Sequence, residues 1–161
     1  MPGRLLIAIL ALSLPSQVRA CAEIPAGAST ISITFPMTGT DAKLVSAFGI
    51  RFHPLLNQQR MHEGIDWAAE RGTPVKASVA GRVESAGVAG QYGNRVVLEH
   101  GGGWQTLYAH LSAFDVKEGD CVAQGAVVGR AGATGLTSGP MVHFEVRHAG
   151  TAIDPMTLVA P

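Results

Sequence analysis

The sequence carries no excess of either charge: 12 Lys and Arg balance 12 Asp and Glu in 161 residues, with no basic run and no acidic tail. Attachment to nucleic acid or to an anionic membrane through bulk charge is therefore without support. Convincing helical periodicity is missing, as is low-complexity sequence. No apolar run is long enough to span a bilayer, so no transmembrane anchor is expected. Cysteine is scarce, confined to Cys21 and Cys121.

What is present begins with Arg4, an apolar run from Leu5 to Leu14, and Val18-Arg19-Ala20 just before Cys21. One positive charge, a short apolar core and small residues at the last and third-last positions describe a secretory signal peptide over residues 1–20. The mature chain is expected to start near Cys21 and to be exported to the periplasm or cell envelope. An alternative is a lipoprotein acylated at Cys21. Arg19 opposes it, because the residue two before a lipidated cysteine is normally small or uncharged. An even cysteine count in an exported chain invites a Cys21–Cys121 disulfide, closing a loop of about 100 residues worth on the order of 4 to 5 kcal/mol. Lipidation and this disulfide exclude each other. About 140 mature residues suit one domain with a proper core, expected at 36–161 behind an N-terminal lead-in at 21–35.

Short alternating apolar runs divided by glycines imply small antiparallel strands. Ile31, Ile33 and Phe35 alternate with Ser32 and Thr34, which predicts a first strand. The stretch Val45 to Pro54 reads as a short apolar segment leading into a loop. Tyr92-Gly93-Asn94 is a tight turn, with Asn94 serving that turn or a substrate, and Gly101-Gly102-Gly103 joins the two arms of a hairpin, 95–100 and 104–110. Many strands, many turns and no helix predict an all-β sandwich or partly rolled sheet.

Within that frame Met61-His62-Glu63-Gly64-Ile65-Asp66-Trp67 places an imidazole and a carboxylate four residues apart. In an extended segment positions 62, 64 and 66 share one face, with Gly64 removing the bulk between the donors; a helix would also bring 62 and 66 together. His and Asp are both suitable zinc ligands, and a catalytic site needs one more protein ligand and an open position. His143 supplies a rigid third donor from an alternating strand that carries Glu145 and Arg147 on the same side. His110 ends another strand. A lipoyl-like carrier is set aside, since neither Lys76 nor Lys117 sits in a suitable hairpin turn.

The blocks Phe48-Gly49-Ile50-Arg51-Phe52-His53-Pro54, His62-Glu63-Gly64-Ile65-Asp66, Gly72-Thr73-Pro74-Val75, Tyr92-Gly93-Asn94, Leu107-Tyr108-Ala109-His110-Leu111 and Val142-His143-Phe144-Glu145 follow in order, and Asp154-Pro155 comes near the end. Together they resemble the lysostaphin-type (LytM-like) zinc endopeptidases of bacterial cell walls. The resemblance implies that family's antiparallel sandwich with a substrate groove. It further implies one zinc ion on His62, Asp66 and His143 and a catalytic His110; apart from the resemblance, Arg51 either contacts the substrate or anchors its loop, and Asn94 is the other candidate at the substrate. Peptidoglycan stem peptides or cross-bridges would be the substrate, and an activating protein partner is left open. One departure stands out: the family's closing His-x-His reads Met141-Val142-His143, so a thioether replaces the imidazole that normally acts in catalysis. A catalytically weakened or inactive wall-binding module is the alternative this raises.

Overall fold

The computed structural model describes Cys21, Ile24 and residues 27–37, 42–53 and 57–159. The leader read at 1–20 and the side chain of His53 lie outside the described residues. In chain order the strands are β1 (Ala42–Ser46), β2 (Gly49–His53), β3 (Gln58–His62), β4 (Ile65–Ala69), β5 (Pro74–Lys76), β6 (Gly81–Val88) and β7 (Asn94–Glu99). They continue with β8 (Trp104–Leu111), β9 (Ala113–Phe114), β10 (Cys121–Val122), β11 (Val127–Arg130), β12 (Met141–His148) and β13 (Thr151–Ile153). Among the described residues the helical segments are two short 3-10 turns, Gly90–Tyr92 and Pro155–Thr157, and no helix is long and apolar enough to cross a membrane. The chain is all-β, as the glycine-divided alternation predicts.

The main sheet runs β1-β4-β12-β8-β7-β6-β10 with antiparallel neighbours, and β13 adds to β12. Its two faces follow from the period of two. On β12, Val142, Phe144 and Val146 are fully buried in the core, while His143, Glu145 and Arg147 stand on the other face. On β8, Trp104, Thr106 and Tyr108 take the core side, and Leu107 and Ala109 form a smaller apolar floor on the open side with Val97. The sheet of β5, β11 and β9 packs Val75 and Val128 into the same core. The hairpin between β7 and β8 turns through Gly101, Gly102 and Gly103 at φ of 82°, 58° and 80°, values only glycine adopts freely.

Two expectations are corrected. Residues 31–35 show the predicted alternation, with Ile31 and Ile33 buried, but make a single parallel bridge (Ile33 with Val159) instead of a strand. Their amides go to scattered acceptors, Ile33 to the Leu158 carbonyl and Thr34 to that of Ser78. Residues 49–53, read as a loop, pair with 58–62 as a separate two-stranded ribbon, with Gly49 opposite His62 and Arg51 opposite Arg60. Cys121, in the edge strand β10, is joined to Cys21 by a disulfide, their Cα atoms 5.0 Å apart.

Candidate metal centre

Two sheets meet at the His62 motif. His62 ends β3 of the ribbon, Glu63 and Gly64 cross over, and Asp66 sits in β4 of the main sheet, directly opposite His143 of β12. The segment is thus strand, turn and strand, which settles the local backbone against a helix. Gly64 has a specific duty: a Cβ there would lie 2.9 Å from both His143 Cε1 and Glu145 Cγ and would overlap the Phe144 carbonyl.

His62 Nε2, Asp66 Oδ1 and His143 Nδ1 converge, with separations of 3.2 Å (His62 to Asp66), 3.1 Å (His62 to His143) and 2.7 Å (His143 to Asp66). All three residues are buried. Their outer atoms fix the chemistry of the inner ones. His62 Nδ1 donates to the Ala47 carbonyl at 2.7 Å, and His143 Nε2 donates to Glu145 Oε1 at 2.9 Å. In the neutral rings the inward nitrogens are therefore lone pairs, and Asp66 adds a third. Three acceptors facing one another require a cation between them. Four tetrahedral ligands at zinc distances stand roughly 3.3 Å apart, close to what the bare chain already presents, so the donor set fits zinc. Without a metal a proton takes that place: burial pushes the His143 pKa down, but hydrogen bonds to Asp66 and Glu145 outweigh it and hold it up to about 9. Burial likewise raises the Asp66 carboxyl, yet the hydrogen bond from protonated His143 and the close approach of His62 keep it well below the usual carboxylate range.

Arg51, expected at the substrate, lines the groove and also places Nη2 3.4 Å from Asp66 Oδ2, leaving Oδ1 turned inward. Asn94 does not line the groove. Its side-chain amide donates to the Leu111 carbonyl at 3.0 Å and its backbone N–H to Thr134 Oγ1 at 2.9 Å, tying β7 to the end of β8 and to the loop that carries the groove wall.

His110 reaches the groove through a bulge. Between β7 and β8, Val96 pairs with Tyr108 but Asn94 pairs with Leu111, so one strand has an extra residue, and His110 takes φ of 60° there. Strict alternation from Tyr108 would send His110 into the core; the bulge re-aims it beside Ala109 on the open face. Its ring centroid is 6.0 Å from that of His143. Nδ1 donates to the Thr134 carbonyl at 2.8 Å, which leaves Nε2 as the acceptor. Burial lowers its pKa, so the ring is neutral near pH 7.

The groove, about 350 Å³, runs past His62, Asp66, His143 and His110, with apolar side chains of Val45, Met61, Leu136 and Met141 at its edges. Met141 shares the face of His143, as the period of two predicts. His148 is remote, stacked on Trp104 at 4.3 Å between ring centroids. His100 is buried and spends both nitrogens, on the Ala80 carbonyl and Thr106 Oγ1. Glu63 turns to Arg147. The sequence reading missed Tyr92, taken there as a turn residue; its hydroxyl donates to Glu145 Oε1 at 2.7 Å and its ring lies 5.8 Å from that of His143.

Residues 60–155, which include all four of these metal-facing and groove-facing positions, match Peptidase family M23. The chain belongs to this family. The DD-carboxypeptidase/endopeptidase Mpg of Neisseria meningitidis serogroup B is 46% identical over 119 residues, which are 74% of this chain and 27% of that relative. The chain therefore spans well under two thirds of the length of the curated relative it matches. A zinc containing peptidase from Vibrio cholerae superposes with a TM-score of 0.73 at 34% identity, over 79% of this chain and 40% of that one. The catalytic domain of the antimicrobial peptidase lysostaphin from Staphylococcus simulans gives 0.65 at 34% identity, over 72% and 90%. Each of these two likenesses covers more than two thirds of this chain.

Proposed function

We propose that this M23 chain is a zinc-dependent endopeptidase that hydrolyses peptide cross-links of bacterial peptidoglycan, with one zinc on His62, Asp66 and His143. The observation that carries it is the convergence of three lone pairs from those residues in the groove that His110 also lines, its ring centroid 6.0 Å from that of His143 and its Nε2 unspent. A relative named a DD-carboxypeptidase/endopeptidase supports the substrate class. Residues 1–20 would be the leader, 21–35 the lead-in and 36–161 the peptidase domain, exported to the periplasm or cell envelope.

When bound, zinc supplies Lewis acidity to the scissile carbonyl and lowers the pKa of a water molecule towards neutrality. Arg51 keeps Asp66 turned inward. His110 Nε2, an acceptor in the neutral ring, takes a proton from the water that attacks the scissile carbon and then gives it to the amine released as the C–N bond breaks. That order follows from the tautomer: before protonation Nε2 has no hydrogen to give an oxyanion, and afterwards it does. The Thr134 carbonyl holds the ring in this orientation throughout.

One observation favours a second reading, a catalytically weakened or inactive wall-binding module. Met141 stands on the groove beside His143 and can take no proton. Peptide release from purified cross-linked peptidoglycan by zinc-loaded protein, compared with His62→Ala and Met141→His variants, separates the two. Cleavage by the parent that vanishes in His62→Ala supports the peptidase. Zinc uptake without cleavage, with activity appearing in Met141→His, transfers the case to the binding module.

A further inference from the structure

We infer that Glu145 is a positioning residue for the metal centre: its buried carboxylate locks His143 in the tautomer that presents Nδ1 to the ion. The inference rests on the metal-binding reading above. Glu145 is 1% exposed, and its two oxygens receive three donors. His143 Nε2 lies 2.9 Å and the Tyr92 hydroxyl 2.7 Å from Oε1, while Arg147 Nε lies 2.6 Å from Oε2. Arg147 in turn reaches Glu63, the neighbour of His62, so the network ends beside a second ligand.

Such a carboxylate is a poor choice for the fold alone, because a buried charge costs several kcal/mol to desolvate and an apolar side chain of similar volume is often neutral or stabilising. What it does well is select a ring state. An ionised carboxylate only accepts, so the nitrogen facing Glu145 keeps its proton, whereas the proton that Asp66 draws to Nδ1 in the metal-free site is the one an ion replaces. The alternative tautomer would aim an N–H into the site where a cation belongs. The contact lies within one strand, between residues two apart on the same face, so the rigid backbone of β12, paired on both sides by β4 and β8, sets its geometry. Hydrogen bonding to an anion also makes the imidazole a stronger donor. Arg147 fixes which oxygen is available. It claims Oε2 and leaves Oε1 for His143 and Tyr92.

A Glu145→Gln substitution keeps the volume and reverses the instruction. Its amide oxygen would face Arg147, so its NH2 would face His143 Nε2 and favour the tautomer with the proton on Nδ1. Zinc affinity, measured by competition with a chromogenic chelator, is expected to fall about 10- to 100-fold while the metal-free variant still melts cooperatively. Affinity indistinguishable from the parent's, in a parent that does bind zinc, overturns this inference alone. A parent that takes up no zinc overturns the metal reading and this inference together. Should Glu145→Gln not fold, nitrogen NMR of labelled histidine in the zinc-bound parent decides: a proton on His143 Nε2 with Nδ1 metal-bound is expected, and the reverse overturns the assignment.

Discussion

Replacing Gly64 with alanine tests how tightly the candidate metal donors are packed. The new methyl would sit 2.9 Å from His143 Cε1 and from Glu145 Cγ. Carbon atoms rest about 3.5 to 4.0 Å apart, so each contact is roughly 0.6 to 1.1 Å too short. Neither neighbour can retreat cheaply, since β12 is paired on both sides and Glu145 is held by three hydrogen bonds. The strain must move the 63–66 crossover, and with it His62 and Asp66. Overpacking of this kind costs about 1 to 3 kcal/mol, and the reduced freedom of the unfolded chain returns about 0.4 to 1. A net loss of about 1 to 2 kcal/mol lowers the melting temperature by roughly 2 to 10 °C for a domain of this size. Ligands displaced by more than about 0.5 Å should weaken zinc binding at least tenfold. Thermal melts of metal-free protein and a zinc competition titration read the two effects. Equal melting and equal affinity would refute the packing argument, and lower melting with unchanged affinity would refute the step from packing to ligand placement.

Tyr108→Phe removes a buried hydroxyl that accepts from the Ser78 N–H at 2.8 Å and meets Thr106 Oγ1 at 3.0 Å, so urea unfolding should show a loss of about 1 to 3 kcal/mol. His100 is buried with its pKa below 6.5, so the unfolded chain binds its proton more readily and stability falls as pH drops below about 6.5, by at most about 1.4 kcal/mol per pH unit. Comparing urea midpoints of parent and His100→Asn between neutral and mildly acid pH isolates this term: the parent should lose more, and parallel curves would count against it. Cys121→Ser opens the loop closed by the disulfide and should cost about 2 to 5 kcal/mol in the same assay; no change would mean the unfolded chain is not constrained by that link.

The three candidate metal donors were legible because both of their rules are local. Four-residue spacing with a central glycine pairs His62 with Asp66, and the period of two puts His143, Glu145 and Arg147 on one face. The β7–β8 hairpin was legible for the same reason, from a triplet of glycines. His110 was legible as a residue but not as a direction, since its aim depends on a bulge created by register across β7 and β8, which no window of sequence contains. Residues 31–35 show the converse. Their alternation correctly forecasts which side chains are buried, but a strand needs a continuous partner, and the acceptors for this segment come from Ser78 and Leu158 instead. The ribbon of β2 and β3 was hidden by Gly49 and Pro54, which read as loop signals, while its pairing partner lies beyond them at 58–62.

With methionine at position 141, the groove keeps, among the described residues, a single imidazole free to move a proton. Of the histidines whose side chains are described, His62 and His143 turn one nitrogen to the backbone or Glu145 and the other inward, His100 has both nitrogens bonded, and His148 stacks on Trp104 near the Gly102 carbonyl. Among the described residues only His110 keeps a groove-side nitrogen without a protein partner. Proton transfer in this groove should then run through one imidazole. His110→Asn tests this cleanly, because asparagine tolerates the left-handed backbone and can still donate to the Thr134 carbonyl, yet has no basic nitrogen. Loss of a general base typically costs 100- to 10,000-fold, so peptide release should fall by roughly that factor while zinc affinity stays at the parent's value. Retained cleavage would show that the proton goes elsewhere, and a parallel collapse of zinc affinity would show that His110 supports the ligands and not the chemistry.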